Sequence, residues 1–61
     1  METTRQAADR LLTQAQDAGH VSWIIEIANR NADFNGSGPF DAADYLASIG
    51  MTWQMVCYAK S

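Results

Sequence analysis

Side chains that carry oxygen recur at short intervals in the middle of the chain. They stand at positions 1, 3, 5, 9 and 12 of a twelve-residue stretch, as Asp33, Asn35, Ser37, Asp41 and Asp44. Calcium takes six to eight oxygen ligands, in a loop whose two halves converge on the ion. This stretch is therefore the part of the sequence where residue types and spacing suggest chemistry.

Residues 33–44 resemble the calcium loop of EF-hands, and more closely the dockerin-type loop that runs Asp-x-Asn-Gly-x-Gly. The resemblance implies a ligand set of Asp33, Asn35, Ser37, the Pro39 carbonyl, Asp41 and Asp44. It also implies that Gly38, at position 6, permits the sharp turn of the loop. Asp44 replaces the bidentate glutamate of the family and Ser37 replaces an aspartate, so the expected affinity is lower. The second loop of those families is absent from the 61 residues.

The same stretch also fits a linker that leads into a helix. The run Gly-Ser-Gly-Pro at 36–39 is typical of linkers, and Asp41 with Asp44 fits an N-cap followed by an acid at the third helical position. Carboxylates in a first turn interact favourably with the helix dipole. From the residues alone both interpretations stay open, and calcium is the one cofactor that the sequence suggests.

The segment before this loop begins with a clear helix signal. Thr3 followed by Gln6 fits a capping box, and Gly19 is a natural C-terminal cap. Between them, apolar residues recur at helical spacing at positions 7, 8, 11, 12 and 15. These signals predict a helix from about Thr4 to Ala18.

Two apolar segments fit either a helix or a strand. In Val21–Ala32, a regular polar stripe favours a helix capped by Ser22, while alternation at 21, 23, 25 and 27 favours a strand. In Met51–Ala59, Thr52 can cap a helix, while residues 51, 53, 55 and 57 would form one face of a strand. We favour a helix for the first segment, and for the second the two interpretations are nearly equal.

The predicted fold is mainly α, with four short helices in a single small domain, 1–61. One of these helices follows the loop, between Phe40 and Ile49, and is closed by Gly50. The loop 33–40 joins the two apolar halves of the domain. The alternative is an α+β fold with strands near 21–28 and 51–59.

The composition narrows the function classes. The formal net charge is −3, and the cations are Arg5, Arg10, Arg30 and Lys60. Because nucleic-acid binding depends largely on contacts of Lys and Arg with phosphates, we expect no direct nucleic-acid binding. No apolar run approaches the ~20 residues of a membrane span, and the single cysteine excludes an internal disulfide framework. We therefore expect a cytoplasmic protein that does not enter a membrane.

Catalytic residues are not expected. His20 and Cys57 are the single members of their types, and no known signature surrounds the cysteine. A cysteine nucleophile needs a base within hydrogen-bond reach that a third group orients. The sequence therefore predicts that the protein is not an enzyme.

Aromatic and methionine side chains exceed what so small a core can hide. Two Trp, two Tyr and three Met stand in 61 residues, and such side chains are favoured anchors of interfaces. We expect exposed apolar surface near the C-terminal element, with Trp53 and Tyr58 as anchors and with Asp33, Asp41 and Asp44 facing basic groups of a partner.

The predicted function is that of a small acidic protein that binds and blocks a larger protein with a basic or apolar surface. Phage and mobile-element inhibitors of host nucleic-acid-binding machinery are proteins of this class. Self-association into a homodimer is left open.

Two other functions fit parts of the sequence. A calcium-binding helix–loop–helix module is the first, from the resemblance at 33–44. A small helix-turn-helix regulator is a more distant one, because Gly50-Met51-Thr52 resembles the turn before a recognition helix. That helix would offer only Gln54 and Lys60 to base edges and phosphates.

Overall fold

The computed structural model describes residues 2–60, and for residue 60 it describes the backbone alone. Four helices follow one another along the chain: α1 (Thr4–Ala18), α2 (Val21–Asn29), α3 (Pro39–Ser48) and α4 (Trp53–Lys60). Residues 2–60 contain no strand. The mainly α fold is therefore confirmed, and the alternative α+β fold with strands near 21–28 and 51–59 is wrong.

Local sequence signals fix both ends of α1. The Gln6 amide donates to the Thr3 hydroxyl at 3.1 Å, and the Thr3 amide donates to Oε1 of Gln6 at 2.9 Å, which completes the predicted capping box. At the other end Gly19 has φ 73°, and the His20 amide donates to the Ala15 carbonyl at 2.8 Å. This is the Schellman closure that Gly19 predicts.

The start of α2 differs from the prediction that Ser22 caps it. His20 precedes the helix, without a capping bond from its side chain, and its carbonyl accepts the Ile24 amide at 3.2 Å. Ser22 thus lies inside the first turn, where it cannot act as the N-cap. The helix also ends at Asn29, before the predicted Ala32.

The start of α3 corrects the predicted boundary of the loop. Gly38 is the N-cap and Pro39 the first helical residue, so the last two residues of the predicted loop 33–40 belong to the helix. Proline is favoured at this position because its missing N–H would have no helical partner. Asp41 is consequently the third helical residue rather than the N-cap.

The turn from α3 into α4 repeats the closure seen after α1. Gly50 has φ 81°, and the Met51 amide donates to the Leu46 carbonyl at 2.9 Å. The Met55 amide then donates to the Thr52 hydroxyl at 3.3 Å, so Thr52 caps α4 as predicted. The closing role of Gly50 is likewise confirmed.

The core is built around α3. This helix packs against α1 and α2, whereas within the described residues the backbone of α4 comes close to α1 and α2 but not to α3. The buried apolar side chains are Ala8, Leu11, Ala15, Ile24, Ile27, Ala28, Ala42, Ala43, Leu46 and Val56. Half of them are alanines, so the helices approach closely while the apolar volume that they enclose is small.

Few contacts attach α4 to the rest of the domain. Val56 is its one buried side chain among the described residues, with no exposed surface. The indole N–H of Trp23 in α2 donates to the Val56 carbonyl at 3.1 Å. The rings of His20 and Trp53 stack, with centroids 6.3 Å apart and planes 26° apart. The position of α4 therefore depends on a small number of contacts, and the bond from Trp23 and the stacking on His20 are among them.

We predict that Trp23→Phe loosens α4 more than the other helices. The substitution keeps an aromatic ring but removes the donor to Val56, which should lower the free energy of unfolding by about 1 kcal/mol. Urea denaturation measures this change, and amide hydrogen exchange should show faster exchange in α4 than in α1.

Tyr45→Phe is the matched control, because it also removes one polar group from a half-buried ring, on a helix whose described backbone does not come close to that of α4. Equal protection of the α4 amides in both variants would contradict the prediction.

Candidate functional site

The predicted oxygen ligands lie on the connection between α2 and α3 and on the first turns of α3. All five side chains are exposed: Asp33, Asn35, Ser37, Asp41 and Asp44. The first three belong to the loop, and the two others to the helix. The structure thus places the set at one end of α3, open to solvent.

Asp41 joins this loop to its helix. A carboxylate oxygen of Asp41 accepts the Ser37 amide, at 3.4 Å. The same carboxylate lies in the first turn of α3, where the free N–H groups and the helix dipole favour a negative charge. Asp41 therefore has a structural role that needs no ion.

Gly36 is the glycine that the loop requires. A Cβ atom added to it would lie 2.5 Å from Cβ of Asp41 and 3.0 Å from Cε1 of Phe34, closer than such atoms approach. The sequence predicts the demanding turn at Gly38 instead. Gly38, however, has an extended backbone, with φ −111° and ψ 168°, and a Cβ atom added there would meet nothing within 4 Å. The close approach of Gly36 could not be read from the sequence, because it depends on the path of the loop.

The structure brings together part of the calcium ligand set. Pro39 opens α3, so its carbonyl is directed along the helix axis, where an i→i+4 bond takes it. The contact between Ser37 and Asp41 already engages one carboxylate oxygen. Within residues 2–60, no three His, Cys, Asp or Glu side chains are placed to hold a metal ion. Calcium binding stays a prediction from the sequence pattern.

A second candidate site lies on the outer side of α4. Met55 is 49% exposed and Tyr58 is 83% exposed, one helical turn apart. With their neighbours they line a shallow, mostly apolar depression of about 360 Å³. We call this surface the α4 face, formed by Met51, Gln54, Met55, Tyr58 and Ala59. The predicted exposed apolar surface near the C-terminal element is confirmed.

Trp53 and Tyr58 occupy different surroundings. Trp53 is half-buried, stacks on His20 and lines a groove of about 720 Å³ between α1 and α4. Leu11 and Met51 also line this groove, with Arg10 among the polar residues beside it. Tyr58 instead extends into solvent. Of the two predicted anchors, Tyr58 is thus the one that is freely accessible, and the groove was not foreseen from the sequence.

The arginines are engaged within the protein. Arg10 forms an ion pair with Glu2 at 2.7 Å, the single ion pair among the described side chains. The guanidinium of Arg5 lies 5.9 Å from the ring centroid of Phe40, and that of Arg30 lies 5.0 Å from the ring of Trp23. These are cation–π contacts.

The three acids that were predicted to face a partner are exposed, and in the described part of the chain none of them has a cationic partner: Asp33, Asp41 and Asp44.

The predicted partner-binding residues lie on three different elements. Asp33 is on the loop before α3, while Asp41 and Asp44 are the third and sixth residues of α3. Trp53 and Tyr58 belong to α4, which follows the C-terminal end of α3. A partner that contacts both the acids and the anchors must therefore cover more than one element.

His20 and Cys57 belong to the surroundings of α4. The imidazole of His20 stacks on Trp53, half-buried at the start of α2. Cys57 is exposed and lines the groove between α1 and α4.

Comparisons with protein-family models, with curated proteins and with solved structures found no match for this chain. Among the described residues, no helix has the length and apolar character that crossing a membrane requires.

We predict that Gly36→Ala is more destabilising than Gly38→Ala. The new methyl group at position 36 would overlap Cβ of Asp41, so the loop must shift and the Ser37–Asp41 bond is strained. The expected loss is about 1–3 kcal/mol, as for other overpacked positions. Gly38→Ala meets open space. Its cost as an N-cap change, about 0.5–1 kcal/mol, is offset by the lower backbone entropy of the unfolded alanine chain, so the net change should be small.

Thermal or urea unfolding of both variants measures the difference. Equal stability of the two variants would show that the packing of Gly36 against Asp41 is not what shapes the loop.

The calcium prediction is tested by melting the protein in millimolar calcium and in chelator. An ion that binds only the folded state stabilises it by RT ln(1 + [L]/Kd), so calcium should raise Tm of the wild type but not of Asp33→Ala. Asp9→Ala, which removes an exposed acid from α1, is the control and should keep the rise. An unchanged Tm of the wild type would refute calcium binding.

Proposed function

We propose that this protein is a small, non-enzymatic binding protein that occupies and blocks a surface of a larger protein. The observation that carries the proposal is the exposure of the α4 face, where Tyr58 is 83% and Met55 49% exposed. Large apolar side chains left together on the outside of so small a domain mark an interaction surface.

The residue types of the α4 face suit an interface. Tyr and Met are enriched at the centres of interfaces, and a few such residues carry most of the binding energy. Tyr58 and Met55 lie one turn apart on the same helix, so a partner can bury both without any rearrangement of the core.

The exposed acids supply the second component. Asp33, Asp41 and Asp44 have no cationic partner among the described residues, whereas the three arginines are engaged internally. Carboxylates presented in this way favour a partner with basic groups and accelerate its association. Because the acids lie on the loop and on α3 whereas the α4 face lies on another helix, the partner should be a protein with an extended surface.

A basic, extended surface is characteristic of proteins that bind nucleic acids. We therefore propose that the class of partner is cytoplasmic nucleic-acid-binding machinery, blocked in the manner of phage and mobile-element inhibitors. The protein itself is not proposed to contact nucleic acid, because its acidic charge of −3 and its engaged arginines disfavour phosphate contacts.

We predict that Tyr58→Ala weakens partner binding by about 10- to 100-fold, the loss typical of an interface anchor. The tagged protein is used to capture its partner from a lysate, and the affinity of the identified protein is then measured for each variant. Gln16→Ala, at an exposed position of α1, is the control and should bind as the wild type does. Unchanged affinity of Tyr58→Ala would remove the α4 face from the proposed interface.

The electrostatic component has its own test with the same partner. Changing Asp33, Asp41 and Asp44 together to Asn should slow association and reduce its dependence on salt. The matched control changes three exposed acids elsewhere, Asp9, Asp17 and Glu26, to their amides. Equal effects of the two triple variants would show that only net charge matters.

A further inference from the structure

The helix α4 contributes little to the core. Among the described residues, α1, α2 and α3 each supply three of the buried apolar side chains, and α4 supplies only Val56. The described backbone of α4 also does not come close to that of α3, the helix around which the core is built. Nearly the whole core is therefore shared by the first three helices.

The contact between α4 and α1 is incompletely packed. The groove of about 720 Å³ runs between these helices, and Leu11 of α1 and Trp53 of α4 are among the side chains that line it. Protein interiors are otherwise packed as densely as organic crystals, with few voids larger than a water molecule. Water can therefore reach this contact while α4 is in place, and the contact holds α4 less firmly than a packed core would.

The backbone hydrogen bonds of α3 and α4 form two separate sets. The last bond that closes α3 runs from the Met51 amide to the Leu46 carbonyl, at 2.9 Å. The bonds of α4 begin with the next residue, because the Thr52 carbonyl accepts the Val56 amide at 3.0 Å. Met51 itself is half-buried and packs against the core. Within the described residues, α4 can thus leave its place without breaking a backbone bond that holds α3.

The bond from Trp23 to α4 can be replaced by water. The indole N–H donates to the Val56 carbonyl at 3.1 Å, and the ring is only half-buried. When α4 leaves, water can accept from this N–H group, so opening leaves no buried donor unsatisfied at this position. The main costs of opening are then the exposure of Val56 and the loss of the stacking of Trp53 on His20.

We propose that α4 opens and closes on its own, with its hinge between Met51 and Thr52, while α1, α2 and α3 stay folded. Segments with few buried apolar contacts open at a lower free energy than the whole domain unfolds. The eight residues of α4 are fewer than the ~12–15 that an isolated helix needs in water, so α4 unwinds when it opens.

This opening controls whether the α4 face exists. Met55 and Tyr58 lie one turn apart only while their segment is helical, so the face is assembled when α4 closes and lost when it opens. A partner that binds this face would bind the closed form and shift the equilibrium towards it. This consequence rests on the proposed function, whereas the opening itself does not.

Amide hydrogen exchange of the full chain, without any partner, tests the opening. The measurement is made by NMR at a pH where reclosing is faster than chemical exchange. Amides beyond the first turn of α4 should exchange through an opening that depends little on low concentrations of urea, because it exposes little surface. The most protected amides of α1 and α3 should exchange only when the domain unfolds, and urea should accelerate them steeply.

Ala43→Gly separates the two processes. It weakens α3 by placing glycine inside the helix, on an element whose described backbone does not come close to that of α4. The most protected amides of α1 and α3 should exchange about fivefold faster or more, the factor that corresponds to the ~1 kcal/mol preference for alanine over glycine in a helix. The amides of α4 should exchange at the wild-type rate, because the substitution affects the open and closed forms equally.

Val56→Ala is the positive control. It removes apolar surface that only the closed form buries, so exchange in α4 should become faster, by up to about tenfold. Circular dichroism checks that each variant is folded, and Gly36→Ala, in the loop before α3, replaces Ala43→Gly if that variant unfolds. Equal acceleration of the α3 and α4 amides in the folded loop or α3 variant, or equal protection and urea dependence of both helices in the wild type, would overturn the separate opening.

These outcomes are distinct from the fate of the proposed function. A protein that binds a larger partner through Tyr58, but whose α4 exchanges only when the whole domain unfolds, would overturn the opening alone. A separate opening of α4, in a protein without any partner sensitive to Tyr58, would support the opening and overturn the proposed function.

Discussion

The close packing of small side chains around α3 is the constraint on which the rest of the structure depends. Ala42 and Ala43 are fully buried on this helix, as are Ala8 and Ala15 on α1. Alanines let helices approach closely, but each contributes little apolar area to the core. Three helices are therefore packed against one another with few large side chains, and α4 adds only Val56 to the described core. The other large apolar residues of α4 keep part or most of their surface outside, and this is the physical origin of the α4 face.

The parts of the fold that could be predicted are those with local signals. The capping box of Thr3 and Gln6 and the glycines at 19 and 50 define helix ends through bonds between residues close in sequence. The segments at 21–32 and 51–59 could not be assigned in the same way, because in short apolar runs a period of two and a period of 3.6 select overlapping residues. Tertiary packing selects the helix for the first segment, because Ile24, Ile27 and Ala28 are buried together on one side of that helix.

The candidate site could be predicted in composition but not in geometry. The spacing of Asp33, Asn35, Ser37, Asp41 and Asp44 was visible, yet the bond from the Ser37 amide to Asp41 was not. The need for glycine at position 36 follows from how closely the loop passes Asp41, a contact that no pattern encodes. The cation–π contacts of Arg5 and Arg30 were equally hidden, since they depend on how the side chains meet in the folded chain. Because these contacts engage Arg5 and Arg30 with aromatic rings, neither arginine is paired with the exposed acids of the loop and of α3.

The separation of the acids from the α4 face constrains how a partner can be recognised. Electrostatic attraction acts over the Debye length, about 8 Å at physiological salt, whereas apolar contacts act only where surfaces touch. Acids on the loop and on α3 can therefore orient an approaching basic surface without being buried in an apolar contact made by α4.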